Sequence, residues 1–151
     1  MSEHLETTYD KFTFRVKTGY RYSRDDVWVR LENGLATVGL TDFSQRRSGD
    51  VAFVELPAAG QKVAAGEPCG LIETIKVAQE ILSPLSGTVV AVNQELEMWP
   101  ERVNEEPYGR GWLFQLKPAG PSAFEEELLD DQTYFEWMLG RLEEEGRKSG
   151  H

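Results

Sequence analysis

Residues Gly70–Gly87 read GLIETIKVAQEILSPLSG. A turn with Gly66 and Pro68 leads into the first half, and Pro84 and Gly87 lead out of the second. The spacing predicts two short strands that meet at Lys76. Ile75 and Val77 are expected to turn into the core and pin the hairpin, with Lys76 turned out. A primary amine on a four-carbon stem, raised on a rigid hairpin tip, is suited to attachment through an amide: the strands hold the pedestal and the stem keeps the payload mobile. The plainer reading is an ordinary surface lysine in a strand.

Outward from this hairpin the chain continues in strands. Phe12–Val16 (FTFRV) alternates apolar and polar residues. VWVRLE and LATVGL flank Asn33-Gly34, a pair that favours the positive φ angles of a two-residue hairpin turn. TDFSQRR (41–47) lacks the two-residue period and reads as a short helix or turn. DVAFVEL stops at Pro57, and GWLFQLKP closes the β region at Pro118. The character then changes. Ser122 and Glu125 match a capping box. Phe135, Met138, Leu139 and Leu142 recur on one helical face, opposite Glu136, Glu143, Glu144 and Glu145. That face is expected to cover a sheet, a partner-binding helix being the alternative. The domain reading is a loose tail over 1–11, a β domain over 12–119, a packed helical segment over 120–146 and a tail over 147–151. Short strands separated by turns every ~8–12 residues predict a mainly β sandwich or barrel with C-terminal helices.

The 151 residues fit one domain with a small appendage. The formal net charge of −10 argues against nucleic acid and against anionic membranes. It is compatible with basic partner proteins, or simply with an acidic solvated surface. The start lacks a signal-peptide pattern, and no apolar run reaches the ~18 residues of a membrane span. The single cysteine, Cys69, excludes an intramolecular disulfide and any multi-cysteine metal site, and suits a reducing cytoplasm. It reads as a small buried residue rather than a redox partner. His4 and His151 stand in no cluster, so neither a metal site nor a histidine-based triad is indicated. A Schiff-base enzyme would need a buried lysine, against which a hairpin tip argues.

VAFVELPAAGQKVAAGEPCGLIETIKVAQEILSPLSGTVVAVNQELE, together with Val27–Leu40, TDFSQ and VNEEPYGRGWLFQLKP, resembles the glycine cleavage system H proteins from about Tyr22 to Leu142. The resemblance implies a lipoyl-domain-like barrel-sandwich hybrid and a non-enzymatic carrier with lipoate in amide linkage to Lys76. Glu73, Glu80 and Gly87 match positions around lipoyl lysines. Biotin carriers share the architecture but set methionine on both sides of the lysine, where this chain has Ile75 and Val77. Implied partners are lipoate ligase or lipoyl synthase machinery, glycine decarboxylase, aminomethyltransferase and dihydrolipoyl dehydrogenase.

The sequence departs from that family around the cargo cleft. Val27 stands where the family has a glutamate that holds the cargo amine, and Phe43 where it often has histidine or tyrosine. Arg46 and Arg47 follow, and the N-terminus is extended. Loss of polar acceptors and gain of cations lean the reading toward H-protein-like lipoate-binding proteins of sulfur oxidation. These serve a heterodisulfide-reductase-like complex and carry an anionic sulfur cargo. The alternatives are glycine cleavage itself and a non-lipoylated H-like scaffold.

Overall fold

The computed structural model describes residues 3–120 and 128–149. His4–Tyr9 (β1) and Phe12–Lys17 (β2) form an antiparallel ribbon. Its turn residues Asp10 and Lys11 have φ of 49° and 75°, the left-handed pair a two-residue hairpin needs. This corrects the loose tail expected over residues 1–11. HLETTY is too polar to announce a strand, but its Thr and Tyr suit a pleated edge once FTFRV offers a pairing partner. Leu5 packs inward beside Phe14 and Val16.

A six-stranded sheet follows the order β3-β4-β5-β11-β10-β7, with β3 Arg21–Tyr22, β4 Val27–Glu32, β5 Leu35–Leu40, β7 Lys62–Val63, β10 Gly87–Val92 and β11 Phe114–Pro118. A three-stranded sheet follows β6-β8-β9, with β6 Val51–Glu55, β8 Pro68–Thr74 and β9 Ala78–Leu82. Asn33 and Gly34 turn β4 into β5 at φ 54° and 79°. The helices are α1 Asp42–Ser48, α2 Arg102–Glu105 and α3 Asp131–Ser149, with a 3-10 turn at Gln94–Glu97. The Thr41 hydroxyl caps α1 by accepting the Ser44 N–H at 3.2 Å. The architecture is a mainly β barrel-sandwich hybrid with a C-terminal helix.

Two clusters hold it together. Val29, Val38 and Leu116 of the large sheet meet Val54, Ile72 and Ile81 of the small one. Phe14, Val16, Tyr22, Trp28 and Phe43 meet Tyr134, Met138 and Leu142. The apolar stripe of α3 thus covers the ribbon and β3 rather than the broad face of a sheet. The helix runs on to Ser149, where a tail was expected from residue 147. The Ser122–Glu125 capping box lies outside the described residues.

Candidate functional site

The strands β8 and β9 pair from Pro68↔Leu82 to Glu73↔Ala78, and the chain reverses over Thr74–Val77. Thr74 organises this tip. Its N–H donates to the Val77 carbonyl at 2.9 Å, and its hydroxyl oxygen accepts the N–H groups of Lys76 at 3.2 Å and Val77 at 3.1 Å. Lys76 is exposed and makes no ion pair among the described residues. Its stem leaves the tip over Gly49: a Cβ at Gly49 would meet Lys76 Cδ at 3.8 Å. Asn104 fixes the backbone beneath, donating to the Gly49 carbonyl at 2.9 Å and accepting the Val51 N–H at 2.8 Å.

The neighbours of Lys76 do not enter the core. Ile75 is 90% exposed and Val77 47%. β8 ends at Thr74, and the three turn residues Ile75, Lys76 and Val77 all stand exposed beyond the last strand pair. The turn, not apolar anchoring, carries the lysine. Glu73 is exposed next to the tip, opposite Phe53 and Ala78. Gly87 belongs to the other sheet. A Cβ there would lie 2.3 Å from the Lys117 carbonyl oxygen, so Gly87 permits close strand approach rather than serving the lysine.

A cleft of about 490 Å³ opens beside the tip. Val77, Gln79, Glu80 and Leu82 form one wall, Ser44, Arg47 and Ser48 of α1 another, and Arg24, Asp25, Asp26, Trp137 and Arg141 close it. The Ser48 hydroxyl donates to Gln79 Oε1 at 2.7 Å and ties α1 to β9. Asp26 sits at the start of β4 with φ 64° and is 7% exposed. Its carboxylate accepts the Tyr134 hydroxyl at 2.8 Å and Arg141 Nη1 at 2.9 and 3.1 Å. Burial pushes its carboxyl above the usual range, while Arg141 and Tyr134 pull it back.

Of the four cleft candidates, Arg47 lines this cavity and Glu80 joins it there. Val27 and Phe43 do not line it. Val27 is buried in the first cluster and Phe43 in the second, each facing inward on its own element. Phe43 acts from below as a floor, with the guanidinium of Arg47 5.1 Å and that of Arg141 5.0 Å from its ring centre. Arg46 points to a separate hollow lined by Phe12, Gln45 and Asn104, paired with Asp42 at 3.7 Å. Arg47 is not a spare cation either, since it pairs with Glu145 at 2.7 Å. Sequence reasoning missed Asp26, which adjoins Val27, and Arg141, which shares the helical stripe of Tyr134 and Met138.

Residues 20–140 match the family model described as Glycine cleavage H-protein. The chain belongs to the glycine cleavage H-protein family. Relatives include a probable glycine cleavage system H protein of Aeropyrum pernix, 45% identical over 86% of this chain and 90% of that protein. The glycine cleavage system H protein of Rubrobacter xylanophilus is 48% identical over 82% of this chain and 92% of that protein. The crystal structure of the Mycobacterium marinum H protein matches 81% of this chain and 98% of that one with a TM-score of 0.74 at 31% identity. H proteins carry lipoate covalently on a lysine, so this chain is a lipoyl carrier rather than a catalyst in its own right. The relatives are named for glycine cleavage, and the lean toward sulfur oxidation finds no support among them. The β1–β2 ribbon lies outside the matched residues.

Proposed function

We propose that this chain holds lipoate on Lys76 and carries the aminomethyl group of glycine cleavage between glycine decarboxylase and aminomethyltransferase, with dihydrolipoyl dehydrogenase restoring the disulfide. The observation that carries the reading is the exposed Lys76 amine on an ordered tip, adjoining a cleft with a carboxylate at its base. Lipoate in amide linkage supplies a dithiolane whose sulfur accepts and yields the one-carbon group. The protein's contribution is position and shelter. Thr74 holds the turn, the stem passes within van der Waals reach of Gly49, and α1, β9 and α3 wall the cleft beside it. An aminomethyl cargo is a cation near neutral pH and needs an acceptor. Glu80 lines the cleft, is exposed and makes no ion pair among the described residues, and it supplies that acceptor; Asp26, one residue from the position where the family's glutamate is missing, is held at the cleft base by Arg141 and Tyr134. Arg46 faces away and Arg47 and Arg141 are each paired with a carboxylate, so the two arginines after Phe43 do not mark an anionic sulfur cargo; Arg24 also lines the cleft, beside Asp25 and Asp26.

The test is a reconstituted glycine cleavage reaction with lipoylated protein. Turnover within about twofold of a reference H protein supports the assignment, since tenfold would correspond to ~1.4 kcal/mol. Lys76→Arg abolishes turnover, and Glu80→Gln lowers it by an order of magnitude. Loss of one hydrogen bond to a charged group is worth roughly 1.5–3 kcal/mol. Background-level turnover by the lipoylated parent would reject glycine cleavage.

A further inference from the structure

The three-stranded sheet ends on β6, whose free edge runs beside the 3-10 turn and α2. Along this edge the chain exposes large apolar side chains in a way the fold does not require. Met98 is 74% exposed, and Trp99 and Phe53 are about half exposed. Pro100 follows Trp99 and sets the chain direction, and the Arg102 guanidinium lies 5.8 Å from the Trp99 ring centre, holding it in place. Phe53 pairs across the sheet with Glu73, and Ile75 stands exposed in the turn two residues beyond Glu73. Five residues after Trp99, Asn104 grips the Gly49 carbonyl over which the Lys76 stem passes. The apolar strip therefore leads toward the lysine, outside the cleft described above. Its rim is acidic: Glu97, Glu101, Glu105 and Glu106 are exposed around it, while Arg102 and Arg110 are engaged by Glu105 and Glu95.

From this surface we infer that Phe53, Met98 and Trp99 form a docking strip for an enzyme of the glycine-cleavage set, one presenting an apolar hollow rimmed by lysine and arginine. The inference rests on the carrier reading of Lys76. Charge selects the occupant. A second copy of this chain would bring the same carboxylates face to face, and an anionic membrane would repel them. A basic rim complements them, steers the encounter and leaves the apolar residues to hold the complex. An anchor beside the tip also limits the search of the tethered arm for the partner's site.

The experiment titrates the full-length lipoylated protein against glycine decarboxylase, aminomethyltransferase and dihydrolipoyl dehydrogenase from its own organism, at low and high salt. The variants are M98S/W99S, E97K/E101K and, as a control on the large sheet, V90S. Intact mass and thermal melting check lipoylation and folding. At least one enzyme should bind M98S/W99S about tenfold more weakly and E97K/E101K more weakly with a reduced salt dependence, V90S being unchanged. E97K/E101K, at exposed positions, reads the rim even if the apolar variant folds poorly. Binding of all three enzymes to M98S/W99S within about twofold of the parent overturns the proposal. So does failure of the parent to bind any of them, or a self-association in sedimentation that M98S/W99S abolishes. A parent that binds an enzyme through the strip yet carries no lipoate, or supports no glycine turnover, sinks the carrier reading alone.

Discussion

Burial raises the Asp26 carboxyl above its ordinary value of 3.8, against the pull of Arg141 and Tyr134. The sign of the pH effect follows. Between 3.8 and the raised folded value, the folded state binds more protons than the unfolded state, so stability falls as pH rises through this window and is level above it. Urea midpoints of wild type and Asp26→Asn across pH 3–7 should differ with that slope, other carboxylates cancelling in the comparison. A flat difference would mean that Asp26 titrates normally. At the tip, Lys76→Arg keeps the charge but removes the acylable amine. The lipoyl mass increment should vanish from the intact protein, and its persistence would move the attachment elsewhere. Gly39 gives a packing test. A Cβ there would lie 2.5 Å from the buried Trp28 ring, whose indole N–H donates to the Pro107 carbonyl at 2.8 Å. Gly39→Ala should cost about 1–3 kcal/mol by overpacking, read in denaturant midpoints. At this scale the sequence showed Lys76 plainly, because a lone lysine at a hairpin tip is a local pattern. It misassigned Ile75 and Val77 because two apolar flanks suggest burial, whereas both lie in the turn beyond the end of β8, where no sheet face is left to bury them.

The β1–β2 ribbon is the element that sets this chain apart from the stretch matched by its family. Phe14 packs edge-on against Phe43 at 5.8 Å and shares the cluster of Tyr134, Met138 and Leu142. The Arg15 N–H donates to Asp42 at 2.9 Å, and the Tyr108 hydroxyl to the Arg15 carbonyl at 2.6 Å. The ribbon thereby braces both α1 and α3, two walls of the cleft. Phe14→Ala should cost about 3–5 kcal/mol and, at roughly 2–4 °C per kcal/mol, lower the melting temperature by ~6–20 °C. Glycine turnover at a permissive temperature should fall less than stability, because Phe14 does not line the cleft. Equal melting temperatures would mean that the ribbon only rests on the surface. Local patterns made β4, β5 and their Asn-Gly turn legible, since that turn type selects its residues. They left β1 hidden, because a polar strand is stabilised by its partner and not by its own hydrophobicity.

Across the whole molecule, the lysine tip lies outside both hydrophobic clusters. Acylating an exposed amine changes few packed contacts, so apo and lipoylated protein should melt within a few degrees of each other, about the shift 1 kcal/mol produces at this size. A larger rise on lipoylation would show the arm buried in the cleft in the resting state. By itself the sequence determined the class of fold, the hairpin that carries Lys76, the Asn33-Gly34 turn and the apolar stripe of α3. Each is written in spacings of two or of three to four residues, or in the side chains one turn type demands. The cleft was decided only in three dimensions. Asp26, Arg47, Gln79 and Arg141 lie far apart in the chain and carry no shared period. Val27 and Phe43 were drawn inward by the cores of their own elements. A site made by the meeting of α1, β9 and α3 depends on how the ribbon and the two sheets pack, and that long-range packing has no local signature.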